Sequence, residues 1–170
     1  MIKRSKERVK QTAEVFTPAS LVNQMLSKLP KEVWAEGKTF CDPACGTGNF
    51  LIAILWKKIE QGHNITECIK TLFGADIMKD NILECRLRLL KIISLYEEVT
   101  EEHVKSVLTN IAWINQETQP KGSLDYDFSF LPNYKEKDVK IWLTFFQHKQ
   151  VDLPVYESRL EPSENLLYQD

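Results

Sequence analysis

Asp42-Pro43-Ala44-Cys45-Gly46-Thr47-Gly48-Asn49-Phe50 reads as the end of a strand, a glycine turn and the start of a helix. Before it, Thr39-Phe40-Cys41 is a short apolar run that stops at Asp42-Pro43, the pattern of a buried strand. After it, Leu51, Ile54, Leu55 and Ile59 share one face of a helix that begins at about Phe50 and ends near Gly62. Strand, turn and helix in that order make the first half of a βαβ unit. The glycines permit positive φ and let a ligand approach the backbone closely. The helix behind them offers unpaired N–H groups, and in open parallel sheets ligands sit outside the carboxyl ends of the strands. The spacing is GxG, not the GxGxxG of dinucleotide sites, and no GK[ST] follows as in a phosphate loop.

Downstream, Thr66 to Lys70 suits a short helix, and Leu72-Phe73-Gly74-Ala75-Asp76-Ile77 a second strand that ends on an acid. A carboxylate there can accept hydrogen bonds from both hydroxyls of a ribose. With the turn, it points to a nucleoside-bearing cofactor that does not depend on phosphate. Asp80 is placed to cap a long helix in which Ile82, Cys85, Leu89 and Ile93 line up. Thr100 to Leu108 is a further helix, Asn110 to Ile114 a third strand, and the alternation of Val139, Ile141, Leu143 and Phe145 predicts a fourth strand within Asp138–Phe146. Upstream, Pro18 punctuates and Ser20 is placed to cap a helix carrying Leu21, Val22, Met25, Leu26 and Leu29, which Pro30 ends; Lys31 to Lys38 is a short helical turn closed by Gly37. Strands alternating with helices predict an α/β fold: a mostly parallel sheet with helices on both faces.

A chain of 170 residues is one ordinary domain. Residues 1–12 form a basic arm, 13–150 the folded domain and 151–170 an irregular tail. The arm holds Lys3, Arg4, Lys6, Arg8 and Lys10 against Glu7, a solvated terminus or, on a sharper reading, a phosphate-contacting one. A hydrophobic fraction of 43% with 27% charged residues excludes a disordered chain, and a net charge of −2 excludes a global pull toward nucleic acid. Cys41, Cys45, Cys68 and Cys85 form no CxxC pair and no metal-ligand set, so no metal is expected; Cys41 and Cys45 read as small buried fillers. With no membrane-length apolar run and no secretory h-region, the expected location is cytoplasmic, without a membrane partner.

The stretch from Asp42 to Leu51 resembles the D-P-[AS]-C-G-[TS]-G signature of amino-methylating DNA methyltransferases, their motif I. Glu14-Val15-Phe16-Thr17-Pro18 resembles their upstream motif X, and Gly74-Ala75-Asp76-Ile77 their motif II. Motif X before motif I is the order of the gamma-type adenine-N6 enzymes and of type I modification subunits; the resemblance covers residues 8 to 115. A tight turn alone accounts for Gly46 and Gly48 but not for Phe16-Thr17-Pro18. The resemblance implies a Rossmann-like class I methyltransferase fold, truncated here, and S-adenosylmethionine as cofactor. It also implies cofactor-binding roles. Thr17 and the backbone around it, from Phe16 to Pro18, with the turn at Ala44, Cys45 and Gly46, would hold the amino-acid end, and Asp42, Pro43 and Gly48 belong to the same cofactor site. Asn49 and Phe50 would shape the floor, Asp76 would take the ribose, and Ile77 would pack on the adenine.

In that family the acceptor amine is held by a [DNS]-P-P-[YFW] motif, whose polar groups orient the nitrogen and whose aromatic ring stacks on the flipped base. No such motif occurs here. Leu131-Pro132-Asn133-Tyr134 lacks the leading polar residue. Asp152-Leu153-Pro154-Val155-Tyr156 has the acid, one proline and the aromatic, so Asp152, Pro154 and Tyr156 are the candidate catalytic residues. Gly122 to Phe128 resembles the motif III neighbourhood, with Gly122 where a polar residue is usual and Asp125 as a substitute. No segment is long enough for a target-recognition domain. Two functions follow: a DNA adenine-N6 methyltransferase, minimal or reliant on a partner subunit for target recognition, or an inactive S-adenosylmethionine-binding relative acting as a regulatory or assembly subunit. The cofactor loop does not name the acceptor, be it DNA, RNA or protein.

Overall fold

Three short apolar runs become three parallel strands in the order β1-β2-β3, with β1 at Phe40–Asp42, β2 at Leu72–Asp76 and β3 at Ile111–Trp113. The computed structural model describes residues 5–12, 14–114, 136–151 and 153. The helices are α1 (Lys6–Thr12), α2 (Ala19–Leu26), α3 (Asn49–Glu60), α4 (Ile65–Lys70), α5 (Lys79–Ser94), α6 (Glu101–Asn110) and α7 (Glu136–His148), with a 3-10 turn at Lys31–Trp34.

The register sets the site. Asp42, the last residue of β1, lies opposite Gly74, so β2 runs two residues further, to Asp76. The chain leaving β1 follows that overhang, and Cys45 N–H bonds to Ala75 O at 2.9 Å. Two successive parallel crossovers running the same way across a sheet bring their helices to one face. α3 and α5 accordingly pack against each other as well as on the strands. The helices that pack substantially on strands, α3, α5 and α6, all lie in crossover connections. α3 is apolar around most of its circumference, Leu51 to Trp56 being buried without a break, because it sits between the sheet, α2 and α5. Gly74 lets it come close: a Cβ there would lie 2.6 Å from Leu51 Cδ1.

Charged side chains staple the core from inside. Lys58 is 1% exposed; its ammonium donates to Lys38 O and Thr71 Oγ1 and lies over the Phe40 ring. Burial pulls its pKa below the usual lysine range. Arg86 donates to Leu108 O and Ile111 O, tying α5 to the end of α6.

Several expectations are corrected. Residues 138–146 form part of α7, not a fourth strand. Val139 is buried and Trp142, Leu143 and Phe146 pack on the core, a helical i, i+3, i+4, i+7 set, while Ile141 is 63% exposed. Asp80 does not cap α5; the N-cap is Met78, and Asp80 stands in the first turn holding Arg8. Ser20 likewise lies inside α2, whose N-cap is Pro18. Cys41, on β1, is exposed rather than a buried filler.

Candidate functional site

Asp42 ends β1, and its Oδ1 accepts the Ala44 N–H at 3.2 Å, closing the turn around Pro43. Gly46 and Gly48 both take positive φ, at +55° and +91°. Gly48 is the N-cap of α3 and is buried against Cys85 of α5. Asp76 braces the turn from β2: its Oδ2 accepts the Gly46 N–H at 2.9 Å, and its Oδ1 accepts the Met78 N–H at 2.7 Å. Arg88 braces it from α5. Its Nη1 donates to Thr47 Oγ1 at 3.1 Å and lies 3.4 Å from Asn49 Oδ1, while Nη2 pairs with Glu84 at 2.9 Å.

The upstream segment Glu14–Pro18 runs beside this turn. Asn49 Nδ2 donates to Thr17 O at 2.9 Å, and the Phe16 ring lies 3.4 Å from where a Cβ on Gly46 would stand. Between segment and turn is a cavity of about 110 Å³ lined by Val15, Phe16, Thr17, Asp42, Ala44, Cys45, Gly46, Thr47, Asn49 and Phe50. Thr17 Oγ1 and Asp42 Oδ2 make no hydrogen bond within the described protein and belong to residues facing this space. Burial, reinforced by Asp76 and opposed by the Ala44 N–H, raises the Asp42 pKa. The neighbouring Cys85 thiol, then burial, raise the pKa of the Cys45 thiol above the ordinary cysteine range.

The sequence-predicted residues divide accordingly. Phe16, Thr17, Asp42, Ala44, Cys45, Gly46, Asn49 and Phe50 line one cavity. Pro18 starts α2 and Pro43 is exposed in the turn. Gly48 packs beneath the turn, and Asp76 holds it from the side. Ile77 is 67% exposed just past β2, its carbonyl accepting from Trp113 Nε1. Asp152, Pro154 and Tyr156 lie outside the described residues, as do segments 122–128 and 131–134. Asn81 carries no local sequence signal for the site. A charge in the apolar run of α5 was the one available hint for Arg88.

The basic arm is a helix in its described part, and Arg8 turns inward. Its guanidinium grips Glu14 through Nε at 2.7 Å and Asp80 through Nη1 at 2.5 Å. Asp80, aided by Glu14 and opposed by burial, holds it above its ordinary pKa. Among the described residues no group of three or more His, Cys, Asp or Glu is arranged to hold a metal. No described helix is long and apolar enough to cross a membrane.

A family model described as N-6 DNA Methylase matches residues 1–92, from the arm through the glycine turn and β2 into α5. No curated protein and no solved structure matches the chain.

Proposed function

Since the chain belongs to the N-6 DNA methylase family, we propose that its cleft binds S-adenosylmethionine and that it serves methyl transfer to the exocyclic amine of adenine in DNA. One observation carries the reading: a half-buried carboxylate with an unused oxygen and an unused threonine hydroxyl belong to residues lining the same small cavity beside a positive-φ glycine. That donor set fits a ligand end with cationic and hydrogen-bonding groups. A space of about 110 Å³ is well below the roughly 300–1,000 Å³ of a pocket for a whole ligand of this size, so it suits the amino-acid end. The nucleoside then extends past Gly46 to the carboxylate of Asp76 and the exposed Ile77. When bound, the cofactor supplies an electrophilic methyl group on a sulfonium. Asp42 offsets positive charge, Thr17 and the Ala44–Gly46 backbone orient the amino-acid end, and Asp76 takes a ribose hydroxyl.

In this reading the sheet is the first part of a Rossmann-like class I methyltransferase fold, the site of action is the cytoplasm, and Asp152, Pro154 and Tyr156 supply the acceptor side. The lack of a [DNS]-P-P-[YFW] sequence favours a second reading, a catalytically inactive S-adenosylmethionine-binding relative that acts as a regulatory or assembly subunit. Radiolabelled methyl transfer to DNA, with and without cell extract, separates the two. Incorporation in either condition supports the first. Calorimetric binding of S-adenosylhomocysteine without incorporation supports the second, and no binding at all defeats both.

Asp42→Asn tests the carboxylate. Its folded pKa is raised, so the folded chain holds the proton at pH values where the unfolded chain has released it. The ionised group therefore opposes folding, and its contribution to stability falls as pH rises through that window. Asparagine keeps an oxygen for the Ala44 N–H and removes the charge. The variant is expected to melt higher than wild type at neutral pH and to bind S-adenosylmethionine about tenfold more weakly, the loss of one charge-assisted contact. Wild-type affinity should weaken as pH falls toward the raised pKa, and that of the variant should not. A lower melting temperature with unchanged affinity would refute the assignment.

A further inference from the structure

The carboxylate of Asp76 is nearly saturated. Besides Gly46 N–H on Oδ2 and Met78 N–H on Oδ1, Asn81 Nδ2 approaches Oδ1 at 3.4 Å. A carboxylate offers about four lone-pair positions, so the one left for a ligand is on Oδ2, and its direction depends on what fixes the other three. Two of those three donors are backbone groups of the local turn. The third is a side chain that is itself held from elsewhere.

Asn81 is 1% exposed. Its Nδ2 also donates to Glu14 Oε1, and its Oδ1 lies 3.4 Å from Arg8 Nη2. Arg8 in turn spans Glu14, through Nε and Nη2, and Asp80, through Nη1 and Nη2. A continuous series of hydrogen bonds thus runs from α1 through Asn81 to Asp76 and on to Gly46. It brings two carboxylates, Glu14 and Asp80, onto one guanidinium, with Asp76 one side chain further along. Removing that guanidinium takes away a partner shared by Glu14, Asp80 and Asn81, and with it part of what holds Asn81 beside Asp76. The arm residue points inward with its fork engaged by two carboxylates, which is the geometry of a fastening rather than of a phosphate contact.

We infer that α1 is a strap on the ligand-binding carboxylate: Arg8 and Glu14 hold Asn81, Asn81 positions Asp76, and cofactor affinity therefore depends on Arg8. The inference rests on the reading of Asp76 as the ribose ligand, and its test is chosen to separate the two. In the full chain, Arg8→Gln is compared with wild type by calorimetry against S-adenosylhomocysteine, 5′-methylthioadenosine and the 2′,3′-dideoxy form of the latter. Amide hydrogen exchange of Gly46 and Met78 is followed without ligand. The strap predicts affinity about tenfold lower for the two ribose ligands, little change for the dideoxy ligand, and exchange at Gly46 and Met78 several times faster. Arg8→Lys, which keeps the charge but not the fork, should recover part of each effect. Asn81→Ala should match Arg8→Gln; should it fail to fold, Arg8→Gln still decides. Equal weakening of all three ligands would reduce Arg8 to general stability and overturn the strap, as would unchanged exchange at Gly46. Should wild type bind none of the ligands, the cofactor reading fails, and the exchange data alone judge the strap.

Discussion

Gly48→Ala is expected to destabilise the protein by about 2–5 kcal/mol. Two costs add at this one residue. Its φ of +91° lies where an L side chain is disfavoured by roughly 1–2 kcal/mol, and glycine alone takes it freely. A Cβ there would stand 2.5 Å from Cys85 Sγ and 3.3 Å from Cys85 Cβ, and forcing a methyl into a packed core costs about 1–3 kcal/mol. Cys85 has little room to yield, since it is 0% exposed. For a chain of this length the loss corresponds to roughly 5–15 °C in melting temperature, measurable by circular dichroism. Cys85→Ala separates the two costs. It makes room for the new methyl but leaves the torsional strain, so the double variant should recover about half of what Gly48→Ala loses. Because Gly48 is the N-cap of α3 and donates to Cys45 O, the same variant should bind S-adenosylhomocysteine poorly even where it remains folded. A melting temperature within about 2 °C of wild type would show that the turn tolerates a side chain and that its glycine is not required.

What could be read from the sequence was local. β1, its turn and α3 each carry their own signal within about twenty residues: an apolar run ending at Asp42-Pro43, two glycines, then a helical period. The acid at the end of β2 was placed for the same reason. The error at α7 has a definite cause. Six of the nine residues from Asp138 to Phe146 are apolar, dense enough to satisfy both a period of 2 and a period of 3.6, and which subset is buried is set by packing on α6. Asp80 illustrates another limit. Its position before an apolar helical pattern suits a cap, but a partner 72 residues away, Arg8, claims its carboxylate. Asn81, Glu14 and Arg88 act on the site through contacts spanning 67 and 41 residues, separations at which no periodicity or propensity operates. The arm shows the same lesson for charge. Counting cations gave a basic terminus, whereas one of them, Arg8, is neutralised by two acids that the count assigned elsewhere.

Arg88→Met should cost about 2–4 kcal/mol and loosen the turn at Thr47. The guanidinium is 5% exposed and pairs with Glu84, which is 27% exposed. Breaking a buried pair by removing one partner costs about 3–5 kcal/mol, and the partial exposure of Glu84 lets water recover some of that. Methionine fills the space of the stem, so the loss reports polar contacts more than packing. What disappears with the fork is a set of donors to Thr47 and Asn49, and Asn49 in turn holds Thr17 O. The turn and the segment that walls the other side of the cavity are therefore expected to lose their common brace together. Arg88→Lys discriminates between charge and geometry. A single ammonium reaches Glu84 or Thr47 but does not present a planar fork to both, so it should restore the smaller part of the stability. Adding Glu84→Gln to Arg88→Met removes the stranded carboxylate, and the double variant should be more stable than Arg88→Met alone by about 1 kcal/mol. Urea midpoints for the four proteins give the comparison. If Arg88→Met lies within about 0.5 kcal/mol of wild type, the buried arginine is a bystander, and the turn is held by Asp76 and the glycines without help from α5.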